Sequence, residues 1–215
     1  MNLWNKEHCC ICDGKLKMFN NQRAAGGTHI CEACKKQCSA DILPLRLATM
    51  SAEEIYAHIT ELAGDQELIK TSFRETHSIL DKQTDAKTLI AVDGDKGWWY
   101  IGNRSTPDVF YFNQVVNYYT NCQSHFLEDD KPVNKLANSA LDVLDAAGIL
   151  DKAENLPMEI VVELAHPYID LVRIPLAEEY PETPAQLEAC QELAQEIIHM
   201  FDHFCYIFQE QAQTS

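Results

Sequence analysis

Two Cys-x-x-Cys pairs near the N-terminus, Cys9-x-x-Cys12 and Cys31-x-x-Cys34, are separated by eighteen residues and limit this part of the chain to very few folds. Each pair puts two thiols on one tight turn, where they clamp one edge of a tetrahedron, and a second such knuckle closes it. The spacing predicts a small zinc-ribbon-like module in which Cys9, Cys12, Cys31 and Cys34 hold one structural Zn²⁺, with iron in a rubredoxin-like site as the alternative. Four thiolates leave no open coordination position for water or substrate, so such a site is structural rather than catalytic. Cys10, Cys38, His8 and His29 lie close enough in sequence to replace one of the four, and spacing leaves that choice open. Gly14, two residues after Cys12, predicts a turn that points backbone N–H groups at sulfur. Gly26-Gly27 predicts the turn of a short hairpin, with Leu16-Lys17-Met18-Phe19 as one strand. Too few apolar residues lie here for an independent core, so the metal must supply the folding free energy.

Six of the nine cysteines fall within residues 9–38, a density that signals metal thiolates in a reducing cytoplasm rather than disulfides. Cys122, Cys190 and Cys205 stand alone and read as small buried hydrophobes. The N-terminus lacks the apolar run of a secretory signal, and no stretch reaches the roughly 18 uninterrupted apolar residues of a membrane span, so a soluble protein without membrane insertion is expected. Charge is uneven: residues 1–50 carry seven Lys and Arg against four Asp and Glu, a balance of +3, so the total of −16 leaves −19 on the rest. An acidic body of this kind repels nucleic acid and anionic membranes and favours a basic protein partner.

Beyond the cysteines, Ser51-Ala52-Glu53-Glu54 is a capping box that starts a helix carrying Ile55, Ile59 and Leu62, with Gly64 as its expected end. From Ile69 the period becomes that of strands. Residues 87–92, the turn Asp93-Gly94-Asp95-Lys96 and residues 97–101 predict a hairpin, and β-prone runs follow at 108–112 and 115–119. Residues 132–147 carry a helical stripe, 158–164 and 168–174 read as two more strands, and Thr183-Pro184-Ala185-Gln186 opens a long amphipathic helix. The chain is therefore expected to be α+β, with a small zinc ribbon, an antiparallel sheet domain and a long C-terminal helix. The expected boundaries are a ribbon over 1–42, a linker and helix over 43–66, and a sheet domain over 67–212 with a helical insertion near 131–148.

The chain resembles a bacterial family whose members open with a four-cysteine zinc-ribbon domain of unknown function and continue through a helix into a pleckstrin-homology-like (PH-like) β-rich domain. The residues that carry the resemblance are Cys9-x-x-Cys12-Asp13-Gly14-Lys15 with Ile30-Cys31-x-x-Cys34, the Ser51–Glu54 helix start, and Pro107-Asp108-Val109-Phe110-Tyr111-Phe112 followed by Val115-Val116. Many relatives have a glycine-rich stretch where this chain has residues 131–148. The resemblance implies the ribbon and the PH-like fold and no particular activity.

No catalytic residues are expected. Glu196-x-x-His199-x-x-x-His203 puts three polar groups near one helix face, but lacks both the Glu after the first His of a zinc protease and the second carboxylate helix of a di-iron site. His77, His125 and His166 have no matching nucleophile, and Ser72, Ser78 and Ser124 have no G-x-S-x-G setting. In Trp98-Trp99-Tyr100, strand alternation sends one Trp into the core. The expected function is that of a non-enzymatic, zinc-containing interaction or adaptor protein with a protein partner, and with self-association through an apolar margin of Met200, Tyr206 and Ile207 on the last helix. The competing readings are nucleic-acid binding through Lys15, Lys17, Arg23, Lys35 and Lys36 of the ribbon, and an acidic decoy that inhibits a basic protein.

Overall fold

The computed structural model describes residues 8–17, 21–81, 87–121, 158–177, 181 and 183–213, without the side chains from 209 onward. It is a mixed α+β structure. The N-terminal head contains β1 (Asn21–Arg23), β2 (His29–Cys31), α1 (Glu32–Lys35) and α2 (Pro44–Thr49), followed by the long α3 (Ala52–Thr71). The body has a four-stranded antiparallel sheet, β3 (His77–Leu80), β4 (Thr88–Asp93), β5 (Trp98–Ile101) and β6 (Phe110–Tyr111), in that order. A second antiparallel sheet follows, ordered β7 (Val115–Asn121), β8 (Glu159–Leu164), β9 (Leu171–Pro175), and α4 (Pro184–Gln213) ends the fold.

One apolar core joins the two sheets and α4. Ile90, Val92, Trp99 and Ile101 come from the first sheet, Ile160, Val162, Val172 and Ile174 from the second, and Cys190, Leu193, Ile197 and Phe201 from α4. The alternation of Trp98 and Trp99 resolves as expected, with Trp99 fully buried and Trp98 half-buried beneath the Lys96 ammonium. Cys190 and Cys205 are buried as expected, while Cys122 lies outside the described residues, as does the helix expected near 131–148. The start of α4 follows its capping box, in which the Gln186 backbone N–H donates to the Thr183 hydroxyl and the Thr183 N–H donates to the Gln186 side chain.

Several expectations are corrected. The strand that pairs with β2 is Asn21–Arg23, because the turn at Gly26-Gly27 pairs Arg23 with His29 and Asn21 with Cys31, and Leu16 and Lys17 of the expected strand 16–19 are not in it. Leu16 instead packs against the head's core, and Met18 and Phe19 are not among the described residues. Residues 44–49, read as a linker, form α2: Pro44 sits at its first turn and Leu47 is buried with Met50 and Ile55 in the head's own apolar cluster. Helix α3 does not stop at Gly64 but runs to Thr71, so Ile69 is helical and the strands begin only at His77. Met200, expected on an exposed margin, is buried, whereas Tyr206 is exposed.

The contrast between two glycines yields a test. At Gly97 the backbone has φ +70°, and a Cβ would meet the Phe208 ring at 2.8 Å. At Gly64 there is open space and no positive φ. Gly97→Ala is expected to destabilise by about 1–3 kcal/mol, from left-handed strain and overpacking. Gly64→Ala is expected to stabilise by about 0.4–1 kcal/mol. Urea unfolding checks both signs, and a Gly97→Ala variant as stable as wild type would remove both the left-handed strain and the Phe208 contact at that position.

Candidate metal centre

The sulfurs of Cys9, Cys12, Cys31 and Cys34 all lie within 4.8 Å of one another, and theirs is the one such cluster among the described residues. Local chemistry places each of them. The first knuckle is closed by hydrogen bonds from the Cys9 N–H to the Gly14 carbonyl (2.8 Å) and from the Asp13 N–H to the Cys9 carbonyl (2.9 Å). Its left-handed residue is Asp13, at φ 55°, rather than Gly14. At Gly14 a Cβ would stand 3.2 Å from the Cys12 sulfur and crowd it. The second knuckle begins at the end of β2, where the Cys31 sulfur caps α1 by accepting from the Cys34 N–H. The β1–β2 hairpin carries Cys31 back to the first knuckle: the Cys31 N–H donates to the Cys9 sulfur at 3.3 Å and the Ile11 N–H does so at 3.5 Å.

The electrostatics describe a site that wants a cation. Burial pushes the Cys9 thiol up, but the N–H groups of Cys31, Cys12 and Ile11 pull it further down, to below the ordinary thiol value. Cys34 is driven the other way by burial and by its contacts with the Cys12, Cys31 and Cys9 thiols. Sulfurs this close cannot all ionise without a positive charge among them, and a divalent ion at the centre removes that repulsion. The donor set therefore fits a metal ion. Cys9 and Cys34 are buried, Cys31 is partly buried and Cys12 is exposed, so the site has a solvent-facing edge.

The four competing residues stand apart from this cluster. His8 Nδ1 bonds the Asp13 carbonyl at 2.8 Å. His29 pairs with Arg23 in the hairpin. Cys38 is buried, directs its S–H at the Cys34 carbonyl, and is pushed up to about 11 by burial, so it stays a thiol. Cys10 is partly buried and is also pushed up by burial.

The other sequence candidates form no centre. Glu196, His199 and His203 lie along the exposed side of α4 and belong to no metal-ligating group among the described residues. His77 is exposed on β3, and His125 and Ser124 fall outside the described residues. His166 is the exception: it lies in the turn between β8 and β9, accepts at Nδ1 from the N–H groups of Tyr168 and Ile169, and faces Glu61 at 3.7 Å. That turn is where the sequence places His166, but its contact with Glu61 and the buried polar contacts of Ser39, His58 and Asp108 beside it have no signal in the sequence.

Residues 7–58 match the model of a protein family described as a domain of unknown function, DUF4428. The match covers about a quarter of the 215 residues. It takes in all four clustered cysteines, the β1–β2 hairpin, α2 and the first two turns of α3. No curated protein and no solved structure matches the chain. Among the described residues no helix is long and apolar enough to cross a membrane.

Proposed function

We propose that this is a non-enzymatic, zinc-containing interaction protein of a bacterial cytoplasm, in which the four-cysteine head is a rigid recognition element mounted on a PH-like body. The observation that carries the reading is the closure of the sulfur cluster. A tetrahedron of Zn–S bonds of about 2.3 Å has S–S edges of about 3.8 Å, and the Cys12 and Cys31 sulfurs stand 3.8 Å apart. Four protein thiolates complete that coordination, so the ion holds the fold and has no position for a substrate. In this reading residues 1–42 carry the metal, the helices within 43–66 complete the head's apolar cluster and lead to the body, and 67–212 form the PH-like unit, supported by its two antiparallel sheets closed by a C-terminal helix. A protein partner is favoured by a shallow recess of about 300 Å³ lined by Cys10, Ile11, Ala52, Glu53 and Tyr56 beside the first knuckle. Exposed Leu45 and Tyr56, and Tyr206 on α4, add apolar surface for a partner or a second copy.

The nucleic-acid reading rests on the lysines of the head, and the acidic-decoy reading on the −19 carried by residues 51–215. The first test is metal content with cobalt substitution: one equivalent per chain, with intense sulfur-to-cobalt charge-transfer bands. A cobalt spectrum without those bands removes the four-thiolate assignment. For the ligand class, binding to single- and double-stranded oligonucleotides is measured against salt. The interaction reading expects no binding at 150 mM salt. Submicromolar binding with a steep negative slope of log K against log salt replaces it with the nucleic-acid reading.

A further inference from the structure

Where the head meets the body, the contact is polar and buried. Asp108, on the loop before β6, accepts at Oδ2 from the Ser39 hydroxyl at 2.6 Å. That hydroxyl in turn accepts from the Asp41 N–H at 3.0 Å, and the Ser39 N–H donates to His58 Nε2 at 2.9 Å. Ser39, His58 and Asp108 are each less than a tenth exposed. Because Nε2 accepts, the neutral ring carries its proton on Nδ1, which has no partner among the described residues. Helix α3 brings a second carboxylate: Asp65 accepts at Oδ2 from the Val109 N–H at 3.0 Å, with Glu61 one turn before it. A third, Asp41, is held by Arg104 at 2.8 Å. His166 completes the surroundings by facing His58 and Glu61.

Three carboxylates thus converge on one buried seam whose cation, Arg104, is already bound to Asp41. We propose that Asp108 is a proton-operated latch: the seam closes over its neutral carboxyl beside Asp41 and Asp65, and loss of that proton leaves a buried charge that loosens the seam. Burial, reinforced by the Asp41 and Asp65 charges against the Ser39 hydrogen bond, pushes Asp108 up from its ordinary value of 3.8 to about 7. Asp65 follows to about 6, through burial and the charge of Glu61. Burial and the neighbouring His166 push His58 down to about 4, so it stays a neutral acceptor across this range.

The sign follows from linkage. With Asp108 at about 7 when closed and near 3.8 when open, the closed seam binds more protons between those values. The opening constant therefore grows as pH rises, by up to about tenfold per pH unit, and levels off above about 7 where both states have lost the proton.

The test is amide hydrogen exchange in the full, metal-loaded chain from pH 5.5 to 8, reported as protection factors so that intrinsic exchange is removed. Protection of the Ser39 and Asp41 amides is expected to fall by about five- to tenfold per unit up to pH 7 and then stay flat. Asp108→Asn keeps the acceptor oxygen without a titrating charge and leaves only the shallower Asp65 contribution below about 6. Should that variant fail to fold, Ser39→Ala removes the hydrogen bond that lowers Asp108, so the slope persists and its plateau moves to higher pH. A wild-type profile flat across the range, an Asp108→Asn profile as steep as wild type, or a Ser39→Ala plateau at unchanged or lower pH each overturns the latch. An unchanged cobalt spectrum through the series shows that the metal centre is not the titrating group.

Discussion

Cys9→Ser is expected to abolish stoichiometric metal binding and to unfold the head, while the body retains a cooperative transition at a lowered temperature. Structural zinc contributes about 10–16 kcal/mol of apparent folding free energy in small zinc domains. Among the described residues, the head's apolar cluster has eight buried members, three of them cysteines, against twenty-five in the body. The first cannot hold β1, β2 and α1 together once the ion is gone, and the second does not need it. Cys9 is the right residue to remove because its sulfur accepts from two backbone N–H groups, at 3.3 and 3.5 Å, that a serine oxygen on a shorter side chain would leave poorly matched. The two clusters are not fully independent, since Ile42 and Tyr168 touch both. Arg46 also reaches across to the Pro167 carbonyl at 2.7 Å. Calorimetry should therefore show the body's transition shifted by a few degrees rather than untouched. Retention of one metal equivalent with the wild-type cobalt spectrum would remove Cys9 from the ligand set. Loss of both transitions together would show that head and body fold as one unit.

What could be read in the sequence was whatever is local. The cysteine pairs, the β4–β5 hairpin and the capping boxes at Ser51 and Thr183 all follow from residues within a few positions of one another, and the structure has each of them. The errors arise where tertiary contacts override a local signal. Glycine in a helix costs about 1 kcal/mol relative to alanine, and that is too little to stop α3 at Gly64. The turns beyond it are held by the Asp65 bond to Val109, and the Phe73 ring just past the helix end packs edge-on against Tyr100. Residues 44–49 looked like a linker because a six-residue helix has no periodicity to detect; burial of Leu47 decides its structure. The seam between head and body was invisible, since Ser39 and Asp108 lie 69 residues apart and no local pattern links them.

Phe201→Ala should be the most damaging single change in the body. Phe201 is fully buried, and its ring stands edge-on to Trp99 of the first sheet (5.1 Å between centroids) and stacked on Tyr118 of the second (5.3 Å). Phe112, between the sheets, lies 5.9 Å away. One side chain thus joins α4 to both sheets, and Tyr118 makes a further bond from its hydroxyl to Asp202, the next residue on the helix. Truncation leaves a cavity that three aromatic rings cannot close without giving up their mutual contacts, so the cost should fall in the range of about 3–5 kcal/mol. For a chain of this size that corresponds to a fall in Tm of roughly 6–20 °C. Tyr206→Ser, on the exposed side of the same helix, should stay within about 0.5 kcal/mol. Metal content should be unchanged in both variants, which separates this effect from that of Cys9→Ser. A urea unfolding free energy for Phe201→Ala within about 1 kcal/mol of wild type would mean that α4 does not close the two sheets through this residue.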